Sequence, residues 1–168
     1  GQTVDVVVFD ATYDILGRVT NVTRYGEITR YQYDELSRVT HVMNPEGQIT
    51  QVDYDDLGRP YRSFQGVGTS YELLTYEATY GPSGQLESVS DGLGNTSTYG
   101  YDDHLRPTHV YFPNTSGTGS STTDYEEYTY DEFGQIHQFQ TREGDILEYT
   151  YDAIGRLEQR DVLLGGTT

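Results

Sequence analysis

The fold is decided by the stretch Tyr13-Asp14-Ile15-Leu16-Gly17-Arg18-Val19, because the chain returns to it again and again. Six further copies, some of them divergent, occupy 33–39, 54–60, 80–86, 101–107, 130–136 and 151–157. Their leading tyrosines are 20 to 29 residues apart. A repeat of this length is typical of a supersecondary unit that is stacked many times. We therefore expect seven repeats between about 13 and 162.

Each copy predicts a tight turn between two antiparallel strands. Aspartate is favoured at the first position of a type I turn, and glycine at the fourth tolerates a positive φ. Asp14 and Gly17 have this spacing, and such a turn closes a short hairpin. Before the turns, tyrosines stand at alternate positions, as at Tyr31 and Tyr33. A period of two indicates one face of a strand.

A second set of glycine-rich turns falls midway between the copies, as at 25–26, 44–47 and 91–94. Each repeat then holds two strands and two turns. We predict an all-β fold, an antiparallel meander of hairpins with about 14 short strands that form a curved or spiralling sheet. No stretch has a sustained helical spacing of apolar residues, so almost no helix is expected.

The turn residues are the main candidates for a site. In five copies the aspartate precedes an arginine by four residues, so we expect the carboxylate both to cap the turn and to form an ion pair across it. These candidates are Tyr13, Asp14, Gly17, Arg18, Tyr33, Asp34, Arg38, Tyr54, Asp55, Gly58, Arg59, Tyr101, Asp102, Arg106, Tyr130, Asp131, Gly134, Tyr151, Asp152, Gly155 and Arg156.

The apolar residues that follow the turns raise a question of register. Val19 and Val22 have opposite parity, and so do Val39 and Val42. Residues of opposite parity cannot share one face of a regular strand. Either both faces of the sheet are partly covered, or a bulge intervenes after each turn.

The composition limits the partners. The chain has 27 acids against 10 bases, all of them arginine, and a formal net charge of −17. This field repels phosphate, so nucleic-acid binding is not expected, and cations are the natural small partners. No apolar run reaches the roughly 18 residues of a membrane span, so no membrane insertion is expected. The absence of cysteine excludes disulfides and zinc-thiolate sites.

At 168 residues the chain is expected to form a single β domain, 1–168. Its core would rest on 17 tyrosines, whose rings tolerate half-burial. A Ser/Thr/Gly-rich segment at 113–124 is predicted to be a loop. No signal peptide begins at Gly1, so an exported chain would be a mature or excised form.

The Tyr-Asp-x-x-Gly-Arg-Val signature resembles the YD repeats, also called Rhs repeats, of bacterial Rhs proteins, toxin-complex shell subunits and teneurins. The departures are Gly81 for aspartate, Leu105 for glycine, and Gln85 and Gln135 for arginine. The resemblance implies a long β-strip that, in large members, spirals into a shell around a toxic polypeptide. Seven repeats are too few to close such a shell, so the resemblance carries the fold better than the activity.

Acidic pairs near the turns make calcium a candidate ligand. Calcium takes six to eight oxygen ligands, which Asp53, Asp55, Asp56, Asp102 and Asp103 could supply. Turn capping and ion pairing explain Asp55 and Asp102 equally well, so no cofactor is required. The four histidines lack zinc-site spacing, and no serine-hydrolase motif is present. We therefore expect no enzyme activity.

Three N-x-Ser/Thr triplets make Asn21, Asn95 and Asn114 candidates for glycosylation. Exposed tyrosines such as Tyr99 and Tyr128 also leave open a carbohydrate-binding module.

The two ends of an open meander suggest how the protein acts. The apolar runs 4–9 and 162–164 lie near its first and last strands, whose unpaired backbone groups can recruit another strand. The first hypothesis is a non-catalytic structural module of a secreted or surface bacterial assembly. Such a module would self-associate through its sheet edges into a homo-oligomer, fibre, tube or ring. The alternative is a shell segment of an Rhs-type toxin that encloses a cargo polypeptide, in which case neighbouring segments cover both edges.

Overall fold

The computed structural model describes residues 8–115 and 119–165, and within them the regular structure is entirely β. The strands, β1 to β14 in order, are Phe9–Tyr13, Val19–Arg24, Glu27–Tyr33, Val39–Met43, Ile49–Tyr54, Pro60–Gln65, Leu73–Tyr80, Leu86–Asp91, Thr96–Tyr101, Pro107–Pro113, Ser120–Tyr130, Ile136–Gln140, Ile146–Tyr151 and Leu157–Leu163. Each strand neighbours the next in a single sheet, in the order of the sequence. The sheet is open, with β1 and β14 as its edges. The predicted all-β antiparallel meander is confirmed.

Four of the seven YD turns have aspartate at the first corner and glycine at the fourth. In the first turn the Gly17 N–H donates to the Asp14 carbonyl (3.0 Å) and the Asp14 N–H donates to the Arg18 carbonyl (2.9 Å). Gly17 has a φ of +79°, which costs glycine little. Two repeats place a side chain at this corner, Ser37 with a φ of +65° and Leu105 with +60°.

A bulge at six of the YD hairpins resolves the question of register. Tyr13 pairs with Val19 and Ala11 pairs with Val22, and the register shifts between Thr12 and Tyr13. Tyr13 and Ala11 share a face, so Val19 and Val22 share it too. The same shift occurs in the second hairpin, between Gln32 and Tyr33. In these two hairpins one extra residue therefore gathers the tyrosines and valines on one face, called here the tyrosine face.

The sheet is a single layer, so the core is thin. Among the described residues only one apolar side chain, Ala78, is buried, and it retains 4% exposure. The paired tyrosines and valines of the inner strands are half-buried against one another, as at Tyr31 opposite Val42. Cross-strand contacts between rings and branched side chains thus take the place of an inter-layer core.

The predicted loop 113–124 is wrong in its extent. Strand β10 runs through Pro113 and β11 begins at Ser120, so Pro113 and 120–124 belong to strands. The Ser120 hydroxyl lies 2.9 Å from the Thr98 hydroxyl, and Pro113 pairs with Ser120. Serine and threonine form this strand because threonine suits a pleated surface and the hydroxyls find partners.

By compactness the chain divides into two units, Gly1–Glu77 and Ala78–Thr168. The first unit holds the first three YD turns, and the second holds the other four. The single domain 1–168 stays a prediction. Of the apolar run 4–9, the part 4–7 lies outside the described residues, and Val8 and Phe9 are exposed.

Candidate functional site: the joint between repeats

In five of the seven YD turns, one carboxylate binds both the turn backbone and the turn arginine. Asp14 Oδ1 accepts the N–H groups of Leu16 and Arg18, each at 2.9 Å, and Asp14 Oδ2 accepts Arg18 Nε at 2.6 Å. The same set of bonds forms at four other turns. These are Asp34 with Arg38, Asp55 with Arg59, Asp102 with Arg106 and Asp152 with Arg156.

The held arginine reaches across to the following repeat. The guanidinium carbon of Arg18 lies 4.8 Å from the centre of the Tyr33 ring, and Arg18 Nη1 donates to the Asp34 carbonyl at 3.0 Å. In return the Tyr33 hydroxyl donates to the Val19 carbonyl at 2.8 Å. We call this arrangement a joint: an arginine of one turn, and the tyrosine and turn backbone of the next.

The joint recurs in both units. The guanidinium carbon of Arg38 lies 4.6 Å from the Tyr54 ring centre, and the Tyr54 hydroxyl donates to the Val39 carbonyl at 2.9 Å. In the second unit Arg106 lies 4.3 Å from the Tyr130 ring centre. A cation above an aromatic face is attracted by the ring quadrupole, and Arg additionally stacks its plane on the ring. Each joint therefore ties two hairpins together by side chains as well as by strand pairing.

The turn glycine has a second role that the sequence did not reveal. A Cβ added to Gly58 would lie 3.2 Å from Arg38 Nη1, and one added to Gly134 would lie 3.3 Å from Arg106 Nη1. Among the residues that the structure describes no arginine precedes the first turn, and a Cβ on Gly17 would meet nothing within 4 Å. Glycine therefore also gives the guanidinium of the previous repeat room to approach.

The turn carboxylates are acidified by this environment. The pKa of Asp14 is lowered chiefly by the N–H of Arg18, against a partial desolvation, and further by the Arg18 guanidinium. At Asp34 desolvation acts to raise the pKa, but the bonds from Arg38 outweigh it and the pKa is lowered. The pKa values of Asp55, Asp102 and Asp152 are lowered by the equivalent groups.

The fourth and sixth repeats lack the aspartate–arginine pair of the other turns, and each of these two turns forms different contacts. At the fourth turn the Gln85 amide lies against Gly81, in space that a side chain at position 81 would need. At the sixth turn Asp131 Oδ1 still accepts the N–H groups of Phe133 and Gln135. Gln135 Nε2 donates forward to the Gly155 carbonyl at 2.9 Å. Gln135 thus keeps the contact to the next turn without an ion pair to Asp131.

The two ends of the sheet each carry half of a joint. Arg156 has a side chain 75% exposed, whereas the side chain of Arg18 is 23% exposed and that of Arg106 is 32% exposed. Tyr13 at the opposite edge is 61% exposed. Within 8–115 and 119–165, no tyrosine follows Arg156 and no arginine precedes Tyr13. The exposed Arg156 guanidinium and the exposed Tyr13 ring are the two kinds of group that contact each other in the internal joints.

The structure does not gather the calcium candidates. Within 8–115 and 119–165, no three histidine or carboxylate side chains form a group that could hold a metal. Asp55 and Asp102 pair with arginines, and Asp53 accepts Gln51 Nε2 at 2.7 Å. Asp56 and Asp103 are exposed at the turns. Calcium stays a prediction.

The other candidate residues lie apart from the joints. Asn21 donates to the Thr12 hydroxyl at 2.6 Å and Asn95 to Asp91 Oδ2 at 2.7 Å, while Asn114 lies in the connection after β10. The third residue of the Asn114 triplet lies outside the described residues. Tyr128 stacks on Phe139, with ring centres 4.8 Å apart, and Tyr99 pairs with Val110. Glycosylation and carbohydrate binding stay predictions.

Comparison with known proteins bears on the fold. No family model and no curated protein matches the chain. The crystal structure of TcdB2-TccC3-Cdc42 matches with a TM-score of 0.76 at 16% identity. The chain shares its fold with a segment of TcdB2-TccC3. The Tc holotoxin pore of Photorhabdus luminescens, with a mutation in TccC3, gives the same TM-score and identity.

The match covers 96% of this chain and 9% of the TcdB2-TccC3 chain. At 16% identity the likeness concerns architecture alone. No helix able to cross a membrane occurs in the described part of the chain.

Proposed function

We propose that the chain is a non-catalytic wall module of a secreted or surface bacterial assembly, and that copies associate through their sheet edges. The observation that carries this proposal is the pair of half-joints, exposed Arg156 at β14 and exposed Tyr13 at β1. At three internal joints an arginine lies over the next tyrosine. A second copy would let Arg156 lie over its Tyr13, as Arg38 lies over Tyr54.

The strand edges support the same association. All seven residues of β14 are exposed, and four of the five residues of β1 are exposed. Each edge strand has one side without a paired strand, which offers backbone donors and acceptors to another strand. Joining the last strand of one copy to the first of the next is a head-to-tail contact, which gives a fibre or a closed ring.

A second candidate is a segment of a toxin shell that encloses a cargo polypeptide. The fold shared with TcdB2-TccC3 over 96% of this chain favours it. So does the single-layer sheet, because a half-exposed tyrosine face can lie against an enclosed polypeptide. In this case the half-joints are completed by further repeats of the shell.

Sedimentation velocity across a concentration series, with electron microscopy, tests the edge-association proposal. We expect concentration-dependent oligomers, and a shift toward monomer in Arg156→Ala and in Tyr13→Ala. The matched control is Arg62→Ala, which removes an arginine that pairs with Glu77 inside the first unit. A monomer at every concentration would contradict association through the edges and favour the shell segment. Equal weakening by Arg62→Ala would show that charge, not the joint, drives the association.

A further inference from the structure

The sixth YD turn is built like the others but lacks its arginine. At Asp14, Asp34 and Asp102, the second carboxylate oxygen accepts Nε of the turn arginine at 2.6 to 2.7 Å. Gln135 replaces that arginine after Asp131. Among the described residues no donor bonds Asp131 Oδ2. A charged acceptor therefore stands at this turn without the cation that the repeat normally supplies.

The tyrosine of the same joint is also uncovered. Tyr33, Tyr54 and Tyr130 each have a guanidinium 4.3 to 4.8 Å from the ring centre. Within the described residues no guanidinium lies over Tyr151. Its hydroxyl still donates to the Ile136 carbonyl at 2.9 Å, so the ring is held as in the other joints. The sixth joint therefore lacks the cation, whereas the Tyr151 ring is held in the same way as the tyrosine rings of the other joints.

A cleft lies at the sixth joint. It has a volume of about 820 Å³, and its lining includes Asp131, Gln135 and Tyr151. The corresponding cleft between the second and third turns, lined by Asp34, Arg38 and Tyr54, has about 500 Å³. The cleft at the sixth joint therefore has a larger volume than the cleft between the second and third turns. Phe133, 82% exposed, and Ile154, 75% exposed, also line it.

These features point to one kind of ligand. Carboxylate and aromatic face together bind a guanidinium in three joints of this chain, which is an internal precedent for the chemistry. Arginine suits this geometry better than lysine, because its planar fork bonds a carboxylate while its face stacks on a ring. The apolar Phe133 and Ile154 can receive the methylene stem of the ligand. The net charge of −17 attracts a cationic segment from a distance.

The geometry points to the sixth joint as a binding site for an arginine side chain of a partner polypeptide. The guanidinium bonds Asp131 Oδ2 and lies over the Tyr151 ring, while Gln135 keeps its bond to Gly155. The partner completes in trans the joint that the other repeats complete in cis. The site does not depend on association through the sheet edges, because its lining includes Asp131, Gln135 and Tyr151 but not Arg156.

Nuclear magnetic resonance titration of the 168-residue chain with N-acetyl-arginine amide tests the site. We expect saturable shifts at Asp131, Gln135 and Tyr151, and binding of N-acetyl-lysine amide at least about tenfold weaker. Gln135→Arg fills the site from within and should abolish the shifts. Asp131→Asn, which retains an oxygen to cap the turn, should abolish them too.

A gain-of-site variant completes the test. Arg106→Gln gives the fifth joint the composition of the sixth, so a second set of shifts is expected at Asp102 and Tyr130. Shifts that persist in Gln135→Arg, or equal binding of the arginine and lysine compounds, would overturn the proposal. So would the absence of any shift in the unchanged chain.

Discussion

The guanidinium of Arg38 lies 4.6 Å from the centre of the Tyr54 ring, although the two residues belong to successive repeats. The Asp34 carboxylate forms an ion pair with the Arg38 guanidinium, and the Tyr54 hydroxyl donates to the Val39 carbonyl. The motif of the second repeat therefore contacts both neighbouring repeats. Its tyrosine lies under the arginine of the preceding turn, and its arginine lies over the tyrosine of the following one. A thin sheet with one buried apolar side chain among its described residues gains rigidity from such connectors.

Two turn glycines should respond differently to alanine. Gly17→Ala introduces a side chain at a positive φ, a strain of about 1 kcal/mol. Gly58→Ala introduces the same strain and also presses on Arg38 Nη1, 3.2 Å from the new Cβ. Urea unfolding should show a clearly larger loss for Gly58→Ala. Equal losses would mean that the guanidinium does not need this space.

Leu105→Gly should stabilise the chain by up to about 1 kcal/mol, because leucine at a positive φ is strained. Ser37→Gly is the matched comparison and should gain less. The Ser37 hydroxyl accepts Arg18 Nη1 at 3.3 Å, and that bond is lost. Thermal unfolding of both variants measures the difference. A destabilised Leu105→Gly would show that the leucine side chain contributes more than its backbone strain costs.

The turn carboxylates should make the chain sensitive to acid. The pKa of Asp34 is lowered in the folded state, so its contribution to stability is present above the unfolded value, near pH 4, and is lost as the pH falls through the folded pKa. Asp34→Asn should therefore lower the melting temperature at pH 6 and differ less from the unchanged chain at pH 3. The exposed Asp56→Asn serves as control. A difference that stays constant across this range would rule out the Asp34 ion pair as its source.

The hairpins could be predicted from the sequence because their cause is local. The carboxylate of Asp14 and the positive φ of Gly17 act within a few residues, and the alternation of Tyr31 and Tyr33 shows one face of a strand. The bulge could be named only as one of two explanations, since either arrangement satisfies the same valine spacing.

The joints could not be predicted, because they depend on the register between strands. Arg18 and Tyr33 are far apart in the sequence, and only the pairing of neighbouring hairpins brings the guanidinium over the ring. The polar composition of 120–124 favours a loop, but the segment belongs to β11, where the Ser121 hydroxyl finds partners. The sequence shows that Gln135 replaces the arginine after Asp131, but only the structure shows that Gln135 donates instead to the Gly155 carbonyl.

The central claim is that arginine and the next tyrosine stabilise each other across the joint. A double-mutant cycle at one joint, with Arg38→Gln, Tyr54→Leu and both together, measures this directly by urea unfolding. The joint predicts a favourable coupling free energy of about 0.5–1 kcal/mol between the two side chains. Effects that simply add, with no coupling free energy, would contradict it.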